Sequence, residues 1–227
     1  MIGWLVIGTA KYFEIGVNCL QSIKENYRGE HDSKYFLFTD RGAEVPEGKE
    51  WIDVIDIAHI PFPFISMARY THFMDRKDMF SECDYLYYVD ADSLFIDVGD
   101  EILSKRTTVL HPSYYMNETD THPYDRNSEC QAYIPMGSGN QYYQNCFQGG
   151  EKEEFLKMSE ILRDRTNIDL GNDVIPLWHD ESHMNKYMSE NPPTLVLDSG
   201  YAFPEGWDLP FEQKIMGVSK DNVEIRK

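Results

Sequence analysis

Long hydrophobic runs are missing from this 227-residue chain. No apolar stretch approaches the roughly 18 residues that a membrane-spanning helix needs. Residues 1–9 are apolar, but the run is short and has no basic segment, so it reads as a buried strand and not as a signal peptide. A cytoplasmic location without a membrane anchor is the expectation. Cysteine is scarce too, with four residues at positions 19, 83, 130 and 146. None are paired at metal-ligand spacing, and reduced thiols are the default. Basic charge is also in short supply. Only 21 Lys and Arg stand against 39 Asp and Glu, for a net charge of −18. Nucleic-acid binding needs basic surface and is not expected. Repeats, low-complexity tracts and flexible linkers are lacking, so residues 1–227 are expected to form a single domain.

What is present is the material of a globule: 41% of residues are hydrophobic and 14% aromatic. Residues 5–9 read as a buried strand ending at a glycine. Phe13, Val17, Leu20, Ile23 and Tyr27 then recur at helical spacing. Strands are expected over 34–39 and 51–57. The tract Pro61-Phe62-Pro63 breaks the chain, and Ser66 is placed to cap a helix running to Phe80. Residues 85–89 form another apolar strand pattern. Beyond them, strands are expected over 107–110 and 194–197, with helices over 151–165 and 181–190. This order predicts an α/β fold with a mainly parallel sheet and ligands at the carboxyl ends of its strands.

Two segments carry chemistry. Tyr87-Tyr88-Val89-Asp90-Ala91-Asp92 ends a buried strand with two acids at alternate positions, which point to the same side. Such a pair offers the hard oxygen ligands that Mg²⁺ or Mn²⁺ prefers. The bland alternative is a polar turn after a strand. The pattern occurs in nucleotide-sugar glycosyltransferases and in phosphatases of the haloacid-dehalogenase type. In the phosphatases it normally follows the first strand, and here three strands precede the one it ends. The other segment is Leu177-Trp178-His179-Asp180-Glu181-Ser182-His183-Met184-Asn185-Lys186-Tyr187. Its acid pair at a helix start is ordinary capping chemistry, but the Trp, His, Asn and Lys around it suit a polar site.

Trp178 to Tyr187 closely resembles the signature of glycosyltransferase family 6, the retaining α-1,3 enzymes that include the ABO blood-group transferases. Further segments resemble the family in order: Asp84 to Asp92, His111-Pro112-Ser113-Tyr114-Tyr115, Gln131-Ala132-Tyr133-Ile134-Pro135, Gln141-Tyr142-Tyr143 with Gly149-Gly150, and Pro204-Glu205-Gly206-Trp207. The resemblance implies a single GT-A domain, with residues 1–92 as the nucleotide-binding half and 93–227 as the acceptor-binding and catalytic half. It implies a UDP-galactose or UDP-N-acetylgalactosamine donor, a galactose-containing acceptor, fucosylated in some members, and Mn²⁺ as cofactor with Mg²⁺ as the other candidate.

The implied roles fall on particular residues. Ile7, Gly8, Thr9 and Tyr12 would line the uridine pocket, and Arg69 would contact the donor. Asp90 and Asp92, with Ala91 between them, would place the metal and the diphosphate. Asp180 would hold donor-sugar hydroxyls, and Glu181 would be the catalytic carboxylate facing the anomeric carbon. His111 and Trp178, with Glu181, would meet the acceptor. Ser113, Gln144 and Cys146 would discriminate between donors. Lys220 and Arg226 would close over the diphosphate. There are departures as well. His122-Pro123-Tyr124-Asp125-Arg126-Asn127 stands where the family has Phe-Thr-Tyr-Glu-Arg-Arg, so acceptor identity is left open. The rival expectations are a phosphatase built on Asp90 and Asp92 and a sugar-binding module without turnover.

Overall fold

The computed structural model describes residues 1–219. Strand β1 (Ile2–Ile7) is buried along nearly its whole length. A 3-10 turn at Ala10–Tyr12 leads into helix α1 (Phe13–Asn26), which buries Phe13, Val17, Leu20 and Ile23, the stripe read from the sequence. Strands β2 (Ser33–Thr39), β3 (Ile52–Asp56) and β4 (Tyr85–Val89) lie where their apolar runs predict.

The segment between β3 and β4 differs from expectation. Helix α2 (Phe64–Met67) begins two residues before Ser66, with Pro63 at its N-cap and no side-chain cap bond. Ser66 is therefore a helical residue and not the cap. The carbonyl of Pro61 accepts from the Phe64 N–H, a turn that starts the helix early. Ala68 separates α2 from α3 (Arg69–Asp75).

The second half contains β5 (Ser93–Phe95), β6 (Thr107–Leu110), β7 (Tyr143–Glu151), α4 (Lys152–Gly171), α5 (Asp180–Glu190), β8 (Leu195–Leu197), β9 (Phe203–Pro204) and β10 (Ile215–Gly217). Seven strands form one sheet in the order β3-β2-β1-β4-β7-β6-β8. The pairs β1–β2, β2–β3, β1–β4 and β6–β8 are parallel, while β7 runs antiparallel to both β4 and β6. The mainly parallel α/β sheet is as expected, and β7 is the inner strand that the sequence reading missed. A smaller sheet, β5-β10-β9, packs beyond the end of β4. Among the described residues no helix is long and apolar enough to cross a membrane.

Both faces of the large sheet are covered. One core gathers Trp4, Leu20, Tyr87 and Phe147 around α1. The other gathers Phe38, Phe73, Tyr88, Phe155 and Met184 beneath α3, α4 and α5. Leaving β1 the chain turns to β2 on one side, while β4 lies on the other. Sheets of this kind open a crevice at such a switch of strand order, outside the carboxyl ends of the strands.

Strand β7 is packed tightly in the middle of the sheet. A Cβ on Gly149 would lie 2.3 Å from the Leu86 carbonyl oxygen and 2.4 Å from the Tyr87 ring. Overpacking of this kind costs about 1–3 kcal/mol. Gly149→Ala is therefore expected to lower unfolding free energy by about that amount in chemical denaturation. A change below about 0.5 kcal/mol, typical of a surface position, would contradict the packing.

Candidate active site

A cleft of about 570 Å³ opens where β1 and β4 end. Ile7, Thr9 and Tyr12 line it from the end of β1, and Asp90, Ala91 and Asp92 from the end of β4. Arg69, Gln144, Cys146, Trp178, Asp180 and Glu181 complete the part foreseen from sequence. Residues scattered over the chain thus meet at the predicted strand ends.

Arg69 stands between the two acid pairs. It sits at the start of α3, and its side chain is only 7% exposed. Its guanidinium is 3.0 Å from Asp180 Oδ2 and 3.3 Å from Asp90 Oδ1, and it donates to the Asn145 carbonyl at 3.2 Å. The group lies 3.8 Å from the Tyr88 ring centroid, a cation–π contact. The Tyr88 hydroxyl donates to Asp90 Oδ1. Burial works against the charge on Arg69, but Asp180, Tyr88 and Asp90 hold it protonated. Burial likewise pushes Asp180 up, and Arg69 opposes that shift.

Helix α5 delivers Asp180 and Glu181 in its first turn. The preceding residue, His179, adopts φ +52° and ψ −124°. A non-glycine residue in such a conformation costs about 1–3 kcal/mol and persists only where its surroundings enforce it. Here it turns the chain sharply enough to bring both acids into the cleft. Trp178, on the same turn, is 47% exposed at the mouth and does not belong to the core.

Glu181 has both oxygens engaged. Oε1 accepts from the Tyr142 hydroxyl at 2.8 Å and Oε2 from the Asn145 backbone N–H at 3.0 Å. Burial raises its pKa to about 7, against the lowering effect of those two donors. The Asn145 side chain donates from Nδ2 to Asp180 Oδ2 at 2.6 Å. The Asn185 side chain clamps α5 to β7, donating to the Tyr143 carbonyl at 2.8 Å and accepting from the Tyr143 N–H at 2.9 Å.

Sequence reasoning gave no role to Tyr142, Asn145 and Gln148, and named Asn185 only among the polar residues around the acid pair. All four are buried. For Asn145 and Gln148, polar side chains within an otherwise apolar, glycine-containing strand were the available signal, because buried polar groups need partners. Thr9 and His59 form another unforeseen pair, with Oγ1 3.0 Å from Nδ1 at the β1 side of the cleft.

Other predicted residues lie elsewhere. Gly8 is beneath the lining, its N–H donating to the Phe38 carbonyl at 2.9 Å. His111 does not line the cleft. Its ring packs 5.6 Å from Tyr142, centroid to centroid, and burial lowers its pKa to about 4, so it is neutral near pH 7. Ser113 is exposed, and its N–H donates to His111 Nδ1 at 3.1 Å. Lys220 and Arg226 lie outside the described residues.

Asp90 and Asp92 are suited to a divalent cation as a pair. No third His, Cys, Asp or Glu among the described residues joins them as a preformed cage. Mg²⁺-type ions are commonly held in this way, by one or two carboxylates with substrate phosphates and water completing the shell.

The whole chain, residues 1–227, matches the family described as Glycosyltransferase family 6. Histo-blood group ABO system transferase 2 of Rattus norvegicus is 32% identical over 238 aligned positions, spanning 99% of this chain and 71% of that protein. Globoside alpha-1,3-N-acetylgalactosaminyltransferase 1 of Gallus gallus is 26% identical over 242 positions, spanning 99% and 69%. The O-antigen biosynthesis glycosyltransferase WbnI of Escherichia coli is 25% identical over 224 positions, spanning 97% and 95%. With its ordered motifs gathered in one cleft and a family match from end to end, the chain belongs to glycosyltransferase family 6 and is a sugar-transferring enzyme.

Proposed function

We propose that this enzyme moves galactose or N-acetylgalactosamine from a UDP-sugar to a galactose-containing glycan, in α-1,3 linkage and with retention. One observation carries the proposal: Asp90 and Asp92 share a single cleft with a half-buried Glu181 whose two oxygens are both held. That arrangement supplies a place for a charged leaving group and a fixed carboxylate for the reacting sugar. The name of the chicken relative, an alpha-1,3-N-acetylgalactosaminyltransferase, supports that sugar and linkage. The phosphatase alternative gives Glu181 no role and does not accord with the family match.

Breaking the bond from the anomeric carbon to the diphosphate builds negative charge on the leaving oxygen and positive charge on the ring. Asp90 and Asp92 would hold the divalent cation, which when bound neutralises charge on the diphosphate. Asp180, with its oxygen fixed by Arg69 and Asn145, would orient the donor sugar through its hydroxyls. Glu181 would face the anomeric carbon and stabilise the oxocarbenium-like ring, either electrostatically or as a transient nucleophile. Trp178 at the mouth would offer an apolar face to the acceptor. Holding both substrates together can contribute roughly 7–11 kcal/mol to lowering the barrier.

Metal dependence has a direct check. UDP release from UDP-galactose and UDP-N-acetylgalactosamine is expected with Mn²⁺ and lost in chelator, and Asp92→Asn is expected to lose the Mn²⁺ stimulation. Equal activity of the parent enzyme in chelator would contradict the cation assignment.

A further inference from the structure

Strand β7 contains an irregularity that brings two amides together. Asn145 and Gln148 are three positions apart, a spacing that sends side chains to opposite faces of a regular strand. Pairing with β6 steps from Thr107 opposite Gly149 to Val109 opposite Gln144, so β7 bulges between those points. Bulges next to sites characteristically re-aim a side chain. Here Gln148 Nε2 donates to Asn145 Oδ1 at 2.8 Å. It also donates to the Tyr70 hydroxyl at 2.7 Å. Gln148 is 0% exposed and does not line the cleft.

The contacts with Gln148 and Asp180 together set which way the Asn145 amide points. An amide has one accepting end and one donating end. With its oxygen taken by Gln148, Asn145 presents its NH₂ to Asp180 Oδ2 at 2.6 Å. Turned over, it would set a carbonyl oxygen against that carboxylate and its own NH₂ against that of Gln148. Both contacts would be repulsive in a buried setting, where unpaired polar groups are costly. The backbone N–H of the same Asn145 holds Glu181 Oε2 at 3.0 Å. One residue thus aims both carboxylates, and Gln148 fixes that residue from behind.

We propose that Gln148 is a positioning residue for sugar transfer, setting the side-chain amide of Asn145 so that Asp180 is held toward the donor sugar beside the Glu181 that the same residue's backbone holds. The inference rests on the transferase roles given above to those two acids. It bears on the sugar before the nucleotide, because the Asn145 amide that Gln148 meets donates to Asp180.

The test compares the parent protein with Gln148→Met, which keeps length but removes the amide, and Tyr70→Phe, which removes only the hydroxyl. Transfer kinetics are measured with both UDP-sugars, and binding of UDP alone is followed by calorimetry. Small misplacement of reacting groups is expensive, so kcat is expected to fall about 10- to 100-fold in Gln148→Met. Tyr70→Phe should move it in the same direction by about 3-fold, and UDP affinity should stay within about 2-fold in both. Unchanged kcat in both variants would overturn the role. So would UDP affinity falling in step with kcat, which marks general loosening. If Gln148→Met does not fold, Tyr70→Phe decides by the same comparison. A parent protein that turns over neither donor would defeat the transferase reading itself, whereas an active parent with unaffected variants would defeat only the positioning role.

Discussion

Glu181→Gln is expected to lower turnover by about 10²–10³-fold, the loss that follows removal of one pre-aimed group at a developing charge, and by more if the carboxylate is the nucleophile. UDP-sugar binding should survive, because Gln keeps the shape: its carbonyl oxygen can still accept from the Asn145 N–H while its NH₂ donates to the Tyr142 hydroxyl oxygen. Steady-state kinetics with calorimetric binding check both halves, and unchanged turnover would sink the assignment. The same residue gives a pH signature. Its pKa is about 7, above the ordinary 4.5. Turnover that needs the carboxylate should rise as pH passes through 7 and level off above it.

The stability sign is the reverse. Between the unfolded value of 4.5 and the folded value of about 7 the native state binds more protons at this group than the unfolded chain does. Its contribution to stability is therefore fully present below 4.5 and is lost as pH rises through about 7. Glu181→Gln should remove that loss, so above neutrality the inactive variant should unfold no earlier than its parent. A variant that unfolds earlier there would mean that the ionised carboxylate is a net stabiliser.

Arg69→Met is expected to be the most damaging substitution outside Glu181. Arg69 pairs with Asp180 at 3.0 Å, with side chains only 7% and 8% exposed, and reaches the partly exposed Asp90 at 3.3 Å. Removing one member of a buried pair leaves an uncompensated charge and costs about 3–5 kcal/mol. Asp180 and Asp90 would then face each other without the cation between them. Stability measured by chemical denaturation should fall by that amount, and transfer should be lost even where the variant remains folded. A stability loss below about 1 kcal/mol, as for an exposed ion pair, would show that water screens this triad.

The parts legible from sequence are those where one physical pattern dominates. Strands β1, β2 and β4 are short apolar runs closed by a polar residue or glycine, and α1 carries an unbroken stripe. Asp90 and Asp92 were visible because paired acids at a strand end suit a cation, and Asp180 and Glu181 because the string around them resembles the family signature. Strand β7 was not legible. Gln144, Asn145 and Gln148 interrupt its apolar pattern, and Asn145 and Gln148 are inside because Asp180 and Tyr70, distant in sequence, satisfy them. Local pattern contains no record of such partners. The family resemblance gave Arg69 an expected donor contact, while its pairing with two carboxylates appears only once α3, β4 and α5 converge. Ser66 misled because a capping residue is a preference that the Pro61–Pro63 turn overrides.

The most direct test of the central claim is incubation of the protein with UDP-galactose or UDP-N-acetylgalactosamine in Mn²⁺, with and without a galactose-terminated, fucosylated glycan. UDP release is followed in time, and the anomeric configuration of the new linkage is read by NMR. The predicted result is release that accelerates with acceptor and a product with the α configuration. Release from neither donor would leave a sugar-binding module without turnover, and a β-linked product would contradict retention and the role of Glu181 with it.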